Sequence, residues 1–266
     1  MNKMQKALHE LSEMDELAAG ESAIHSLHPA AKLIATIAYI LITLSFDKYD
    51  LSGLVPMVLW PALLFAISGI KVRTCFYKLR IVLPLVMMVG LFNPFFDKAE
   101  MLQIGGISIS SGVISMITLM LKGVYCLMAS FLLVATTKVD NLCAALRNMH
   151  LPSVLVTLFL LTYRYVGVMT EELAVMTEAY HLRAPGQKGI HISAWGSFLG
   201  QLLLRSMDRA EELYSSMLLR GYHRHFHYAD IRPFKAKDAV YIAVCIACFL
   251  ALRYVDVAQI IGNLVV

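Results

Sequence analysis

Charge is what this chain lacks. Asp, Glu, Lys and Arg make up 16% of its 266 residues, while 58% are hydrophobic; soluble domains run at about 25% charged. A water-soluble globule needs polar cover on its outside, and so apolar a chain cannot supply it. Five cysteines scattered over the sequence are too few for a secreted disulfide scaffold. The abundance of large side chains excludes disorder. Also missing are a GxxxxGK[ST] phosphate loop, an HExxH pair and a GxSxG nucleophile turn, so no means of hydrolysing a nucleotide or activating a nucleophile is visible. The start does not read as a cleaved signal peptide. No internal repeat or low-complexity stretch occurs. What remains is an integral membrane protein with a mechanical role.

A bilayer core about 30 Å thick takes roughly 20 mostly apolar residues as a helix. Five stretches have that character: Ala30–Phe46, Ser52–Ile70, Leu79–Phe96, Gly112–Thr136 and Asp238–Val255. A sixth, Leu151–Met169, contains Arg164 and runs into Thr170-Glu171-Glu172. Loop charges orient the bundle, because Lys and Arg concentrate on the cytoplasmic side. The loop after the second span carries Lys71, Arg73, Lys78 and Arg80; elsewhere Lys48 and Lys98 are diluted by Asp47, Asp50, Asp97 and Glu100. The expected organisation is a cytoplasmic segment over 1–29, four spans over 30–136, a cytoplasmic module over 137–237, and a last span with its tail over 238–266. The module holds twelve Lys and Arg against eight Asp and Glu. If Leu151–Met169 crossed the bilayer, nine of those cations would face outward. That segment is therefore expected to lie along the inner leaflet, with six spans as the alternative. The fold class is all-α: a polytopic membrane helical bundle of about five spans with a cytoplasmic helical module. Ala7, Leu8, Leu11, Met14 and Ala18 recur at helical spacing, which suits a short amphipathic surface helix near the N-terminus.

Within the module, Arg164–Arg183 reads as a continuous helix with Leu173, Met176 and Tyr180 on one face. Ala184-Pro185-Gly186 stops it, since proline disfavours helix before it. A second helix runs from about Ser193 to Arg220, with Leu199, Leu203, Met207, Ala210, Leu213 and Met217 as its apolar stripe and Gly221 as its terminator. Each helix thus ends on an arginine just before a breaker. A cation there complements the helix dipole by about 0.3–1 kcal/mol. Two such ends in one basic module also suit a docking surface, because a guanidinium pairs a partner's carboxylate bidentately.

Other polar features point less far. Lys122 sits mid-way along the fourth span, where an ionisable group costs about 2.5–3.5 kcal/mol on insertion scales. No carboxylate lies inside a span to pair with it, so it is expected to bond backbone carbonyls or reach water. Cys245 and Cys248 have CxxC spacing, but no neighbour there would stabilise a thiolate. His223, His225 and His227 alternate in an HRHFH run; with no carboxylate or cysteine joining them, a basic patch at the membrane surface is expected rather than a metal site.

Several segments in order carry a family likeness: His28-Pro29-Ala30-Ala31-Lys32-Leu33, Thr136-Thr137-Lys138-Val139-Asp140-Asn141-Leu142, Leu146-Arg147 through Leu151-Pro152, Leu161-Thr162-Tyr163-Arg164-Tyr165 with Glu171-Glu172, Leu182-Arg183-Ala184, and Leu219-Arg220-Gly221-Tyr222. In these the chain resembles the transmembrane T component of energy-coupling factor (ECF) transporters, most closely the CbiQ type associated with cobalt uptake. The family's Ala-Arg-Gly-like signatures fall on Arg183 and Arg220. Both have Leu before the arginine here, and the first has Ala after it. His28 stands where an Asp usually precedes the Pro-x-x-Lys signature.

The resemblance implies a scaffold, not an enzyme, in the cell membrane. It implies two ABC ATPase subunits as partners, met through Arg183 and Arg220 with their neighbours Leu182, Ala184, Leu219 and Gly221. A separate membrane-embedded substrate-binding subunit would pack on the same scaffold. ATP would be bound by the partner subunits; no catalytic residue, cofactor, metal site or nucleic-acid partner is expected in this chain. Cobalt or nickel is the implied cargo, with a vitamin-type substrate as the alternative. The rival from another class is a stand-alone membrane enzyme or ion carrier using Lys122, Arg164 and the histidine run.

Overall fold

The computed structural model describes residues 12–91, 100–104, 107–187, 189–222 and 233–254. Among them, after a helical stretch over 12–18, come α1 (Pro29–Leu44), α2 (Leu51–Ser68, with a 3-10 turn over Val55–Val58), α3 (Val72–Leu79), α4 (Leu83–Leu91), a hairpin of β1 (Glu100–Ile104) and β2 (Ile107–Ser110), α5 (Ser111–Thr136), α6 (Val139–Asn148), α7 (Ser153–Arg183), α8 (Ile192–Leu219) and α9 (Ala236–Tyr254). The fold is all-helical apart from that antiparallel hairpin. The alternation of Ile107 and Ile109 with Ser108 and Ser110, and the Gly105-Gly106 pair between the two runs, were its sequence signals.

By length and composition α2, α5 and α7 can each cross a membrane, and α3 with α4 makes a fourth candidate, bent by 69° at its break. The break falls inside the stretch Leu79–Phe96 expected as one span. Pro84 has no N–H to continue a helix from α3, but suits the first turn of a new one. Leu151–Met169, from Ser153 onward, and Arg164–Arg183, read separately from the sequence, belong to the single helix α7, since no breaker lies between them. The chain divides into two compact units, Asp15–Lys138 with Arg232–Val266 and Val139–Ile231 with Met1–Met14.

In the first unit α1 packs against α5 and α9. Lipid tails are as apolar as leucine, so helices in a bilayer associate through close packing and hydrogen bonds. Both are present. Ala31, Ala35, Ala129 and Ala135 are wholly buried, and such small side chains let helices approach closely. A Cβ added at Gly123 would overlap a Val86 methyl, which fixes how near α4 lies to α5. Tyr39, Trp60 and Phe249 form an aromatic cluster joining α1, α2 and α9, with ring centroids 4.5–5.3 Å apart. The Tyr39 hydroxyl donates to the Met57 carbonyl at 2.9 Å.

Charged side chains fasten the ends of these helices. His28 caps α1, its Nδ1 accepting from the Ala30 N–H at 3.2 Å. Asp238 accepts from the backbone N–H of His28 on one oxygen and of Lys235 on the other, both at 2.9 Å; one carboxylate thereby ties the starts of α1 and α9. Beyond the C-terminus of α1, Lys122 of α5 donates to the Phe46 carbonyl, and Arg253 of α9 donates to the Ser45 carbonyl at 2.9 Å while stacking over the Phe46 ring. Lys32 returns from α1 to the Thr136 carbonyl ending α5, at 2.7 Å.

The second unit has a small core of Cys143, Val156 and Leu160, with Val139 and Leu146 against it. α6 ends in a left-handed residue, His150 at φ 65°, with the His150 and Leu151 N–H groups returning to the Arg147 and Leu146 carbonyls. Burial, reinforced by the charge of Asp140, pushes the Cys143 thiol up to about 11.

Asp238→Ala leaves two backbone donors without their acceptor. It should lower stability by about 1–2 kcal/mol, seen as a lower Tm in detergent, with Asp238→Asn losing less. The raised Cys143 value means a protonated thiol at about pH 8.5, where an ordinary cysteine is half ionised. Its alkylation by iodoacetamide should stay slow there in folded protein and quicken as the pH approaches 11 or on denaturation, read by peptide mass spectrometry.

Candidate coupling surface

The two arginines singled out by the sequence end the two longest helices of the second unit. Three cross-contacts show how those helices run. The Tyr180 hydroxyl accepts from the His191 N–H at 3.3 Å; Glu172 pairs with Arg205; Tyr165 and Arg220 line one cleft. Partners that rise along α8 fall along α7, so the two form an antiparallel hairpin. Eighteen residues of helix separate Tyr165 from Arg183, about 27 Å at 1.5 Å per residue. Arg183 and Arg220 therefore sit near opposite ends of the hairpin, not side by side.

Each arginine is placed by a defined helix ending. At Arg183 the next residue, Ala184, leaves helical geometry and its N–H still reaches the Tyr180 carbonyl at 3.0 Å; Pro185 and Gly186 (φ 92°) then turn the chain away. Tyr180 holds this turn, donating to the Gln187 side chain at 2.9 Å. His191 caps the start of α8, its Nδ1 accepting from the Ser193 N–H at 3.3 Å. At the other end Gly221 adopts φ 80°, its N–H bonds the Leu218 carbonyl, and the Tyr222 N–H bonds the Met217 carbonyl, both at 3.0 Å. That pair of bonds is the Schellman ending, which needs a left-handed residue at the position glycine fills.

Both guanidiniums lie on exposed residues, and among the described residues neither is held by a carboxylate. The leucines preceding them are largely accessible too, Leu182 at 79% and Leu219 at 90%. Ala184 is half-buried. Around Arg220, the cleft of about 290 Å³ also carries Tyr165, Arg209, Glu212, Ser216 and Met217; Arg209 is engaged by Glu212 at 3.3 Å. α8 buries none of its residues, and Trp195, Leu199, Leu203, Met207 and Leu218 remain exposed along it. Exposed patches of this kind mark interaction sites.

Sequence reasoning placed Tyr180 on an apolar helix face but missed the bonds of its hydroxyl, the Glu172–Arg205 pair and the Asp238 clasp. Only the last had a local signal: an acidic residue three positions after Lys235, the spacing at which a side chain reaches back to a helix-cap N–H. Lys122 bonds a backbone carbonyl, one of its two expected fates. Cys245 is buried and Cys248 exposed. Arg164 lies within α7. Among the described residues no three His, Cys, Asp or Glu side chains converge as metal ligands would; His223, His225 and His227 lie outside the described residues.

Comparison with known proteins agrees in one direction. The family described as cobalt transport protein, CbiQ, matches residues 20–228. An uncharacterised protein of Methanocaldococcus jannaschii is 25% identical over 177 residues, which is 64% of this chain and 60% of that one. The cobalt transport protein CbiQ of Rhodobacter capsulatus is 32% identical over 104 residues, 38% of this chain and 42% of its own. The nickel permease LarQ of Lactiplantibacillus plantarum is 30% identical over 91 residues, 34% and 33% of the two chains. The match thus spans between a third and three-fifths of the length of these curated relatives.

Gly221→Ala meets open space but must hold a left-handed backbone. It should cost about 1–2 kcal/mol and loosen the end of α8. Hydrogen exchange at Gly221 and Tyr222 should quicken while exchange at the Tyr180–His191 end of the hairpin stays as it was.

Proposed function

The chain belongs to the CbiQ family of cobalt transport proteins, and on that premise we propose that it is the membrane-spanning coupling subunit of an ECF-type ABC importer. It passes ATP-driven motion of two ATPase subunits to a substrate-binding membrane subunit. The carrying observation is the pair of exposed arginines near opposite ends of one antiparallel hairpin. Two cations roughly 27 Å apart along a helix suit two acceptor sites on separate subunits better than one.

The chemistry follows from each helix ending. A guanidinium at the end of a helix sits where backbone carbonyls place partial negative charge, which favours a cation there. A carboxylate on the ATPase can take it bidentately. Leu182 and Leu219, the most exposed side chains beside the two cations, then enter apolar hollows and exclude water from each pair. Closure of the ATPase dimer on ATP moves the two docking points. The α7–α8 hairpin, tied by the Glu172–Arg205 pair and by Tyr180, carries that displacement as a unit. The long exposed apolar face of α8 is where the substrate-binding subunit receives it. The orientation in this reading puts the N-terminus and residues 137–237 on the cytoplasmic side, with α7 packed along the inner leaflet. The cargo is cobalt or nickel, supported by the family description and by the names of the Rhodobacter and Lactiplantibacillus relatives.

Arg183→Glu and Arg220→Glu test the proposal directly. Losing one member of a buried interfacial charge pair costs about 2–5 kcal/mol, so each reversal should abolish or sharply reduce ATPase co-purification and radiolabelled cobalt or nickel uptake, while membrane insertion persists. Complexes and uptake at wild-type level in both variants count against the coupling role.

A further inference from the structure

The basic loop that oriented the bundle is a structured element with a face of its own. From Lys71 to Arg80 the chain carries four cations, Lys71, Arg73, Lys78 and Arg80, and no carboxylate. It forms α3, whose Cys75 is wholly buried on the side turned to the protein. Arg73, Tyr77 and Arg80 lie exposed on the side away from Cys75, and Val72 and Phe76, one turn apart, are exposed along the helix flank. Arg80 lies over the Tyr77 ring, 5.2 Å from its centroid. After the break, α4 is apolar from end to end and exposes Leu85, Met87, Met88, Val89 and Leu91. The axes of α3 and α4 meet at 69°.

We propose that α3 is an interfacial helix whose outward face binds the headgroups of acidic phospholipids. A helix as apolar as α4 belongs among acyl chains. A neighbour bent by 69° from it runs closer to the plane of the membrane than across it, at the depth of the headgroups. That depth suits a face mixing aromatic rings and arginines: the rings settle at the boundary of hydrocarbon and water, and the guanidiniums reach the phosphates. Val72 and Phe76, one turn apart, enter the upper acyl region and Tyr77 stays level with the glycerol. With four positive charges and no negative one, the segment is attracted to anionic lipid over zwitterionic lipid. Its attraction weakens with salt.

The test uses the full chain carrying Tyr77→Trp, reconstituted in vesicles of phosphatidylcholine and phosphatidylglycerol with bromine on the acyl chains of one lipid or the other. The wild type, measured in parallel, supplies the background from Trp60 and Trp195. Brominated phosphatidylglycerol should quench the introduced tryptophan at least about five-fold more steeply than brominated phosphatidylcholine at equal mole fraction, the factor that even one of the two outward arginines supplies at an anionic surface. The preference should fall towards equality in high salt and in the added variant R73Q/R80Q, and return in R73K/R80K. Equal quenching by both lipids at low salt overturns the proposal, as does quenching by neither. An acidic protein partner in place of lipid would leave the two lipids equal while R73Q/R80Q alone lost a co-purifying subunit, which also overturns it. If R73Q/R80Q fails to fold, the salt titration on Tyr77→Trp decides by itself.

Discussion

A helix end beside a lipid phase carries backbone groups that lipid cannot satisfy, at several kcal/mol for each group left bare. In the first unit that constraint is met by side chains, most of them borrowed from other helices. The amides opening α1 and α9 share the Asp238 carboxylate. The carbonyls following α1 take Lys122 and Arg253, and the carbonyl ending α5 takes Lys32. Apart from the bond from Lys235, which Asp238 takes at the start of its own helix, each bond crosses between helices, so the cap of one is also the cross-link to another. Three helices are thereby tied at their ends, where a bilayer helix is most exposed to cost, and the aromatic cluster of Tyr39, Trp60 and Phe249 fills the space between. Lys122 is a mid-span cation that costs on insertion, and its bond to the Phe46 carbonyl offsets part of that cost.

The second unit is built on the opposite plan. Its core is small, and its longest elements are joined by an ion pair and a tyrosine rather than by a packed interior. An exposed ion pair contributes about 1 kcal/mol or less, so the hairpin is held loosely by its own contacts. The unit leaves Leu182, Leu203 and Leu219 uncovered, and exposed apolar patches of this kind mark interaction sites; in the proposed coupling role, neighbouring subunits cover them.

The all-helical bundle was legible from composition and apolar runs, because a chain this poor in charge has few other ways to satisfy its backbone. Helix ends were legible wherever a residue has one dominant conformational habit: Pro185 with Gly186 after Arg183, and Gly221 after Arg220. The break before Pro84 was not read, because the hydropathy of Leu79–Phe96 is continuous across it and only the missing N–H speaks against a single span. The unbroken α7 escaped for the reverse reason. Arg164 and the Glu171–Glu172 pair change its polarity without changing its helical habit. Tertiary fasteners such as Tyr180 with His191, or Arg205 with Glu172, join residues far apart in sequence and leave no local pattern. At the candidate surface the chemical type of each arginine could be read, but not the distance between them.

That distance has a mechanical meaning. A rod pivoting about its middle raises one tip as it lowers the other, and the Glu172–Arg205 pair sits between Arg183 and Arg220. For half of a ~27 Å rod, a tilt of ten degrees carries each tip about 2 Å, in opposite senses. Anything gripping both tips while moving symmetrically must therefore translate the hairpin bodily or bend it, and Ala184-Pro185-Gly186, the loop joining its two arms, is the first place such bending would be felt.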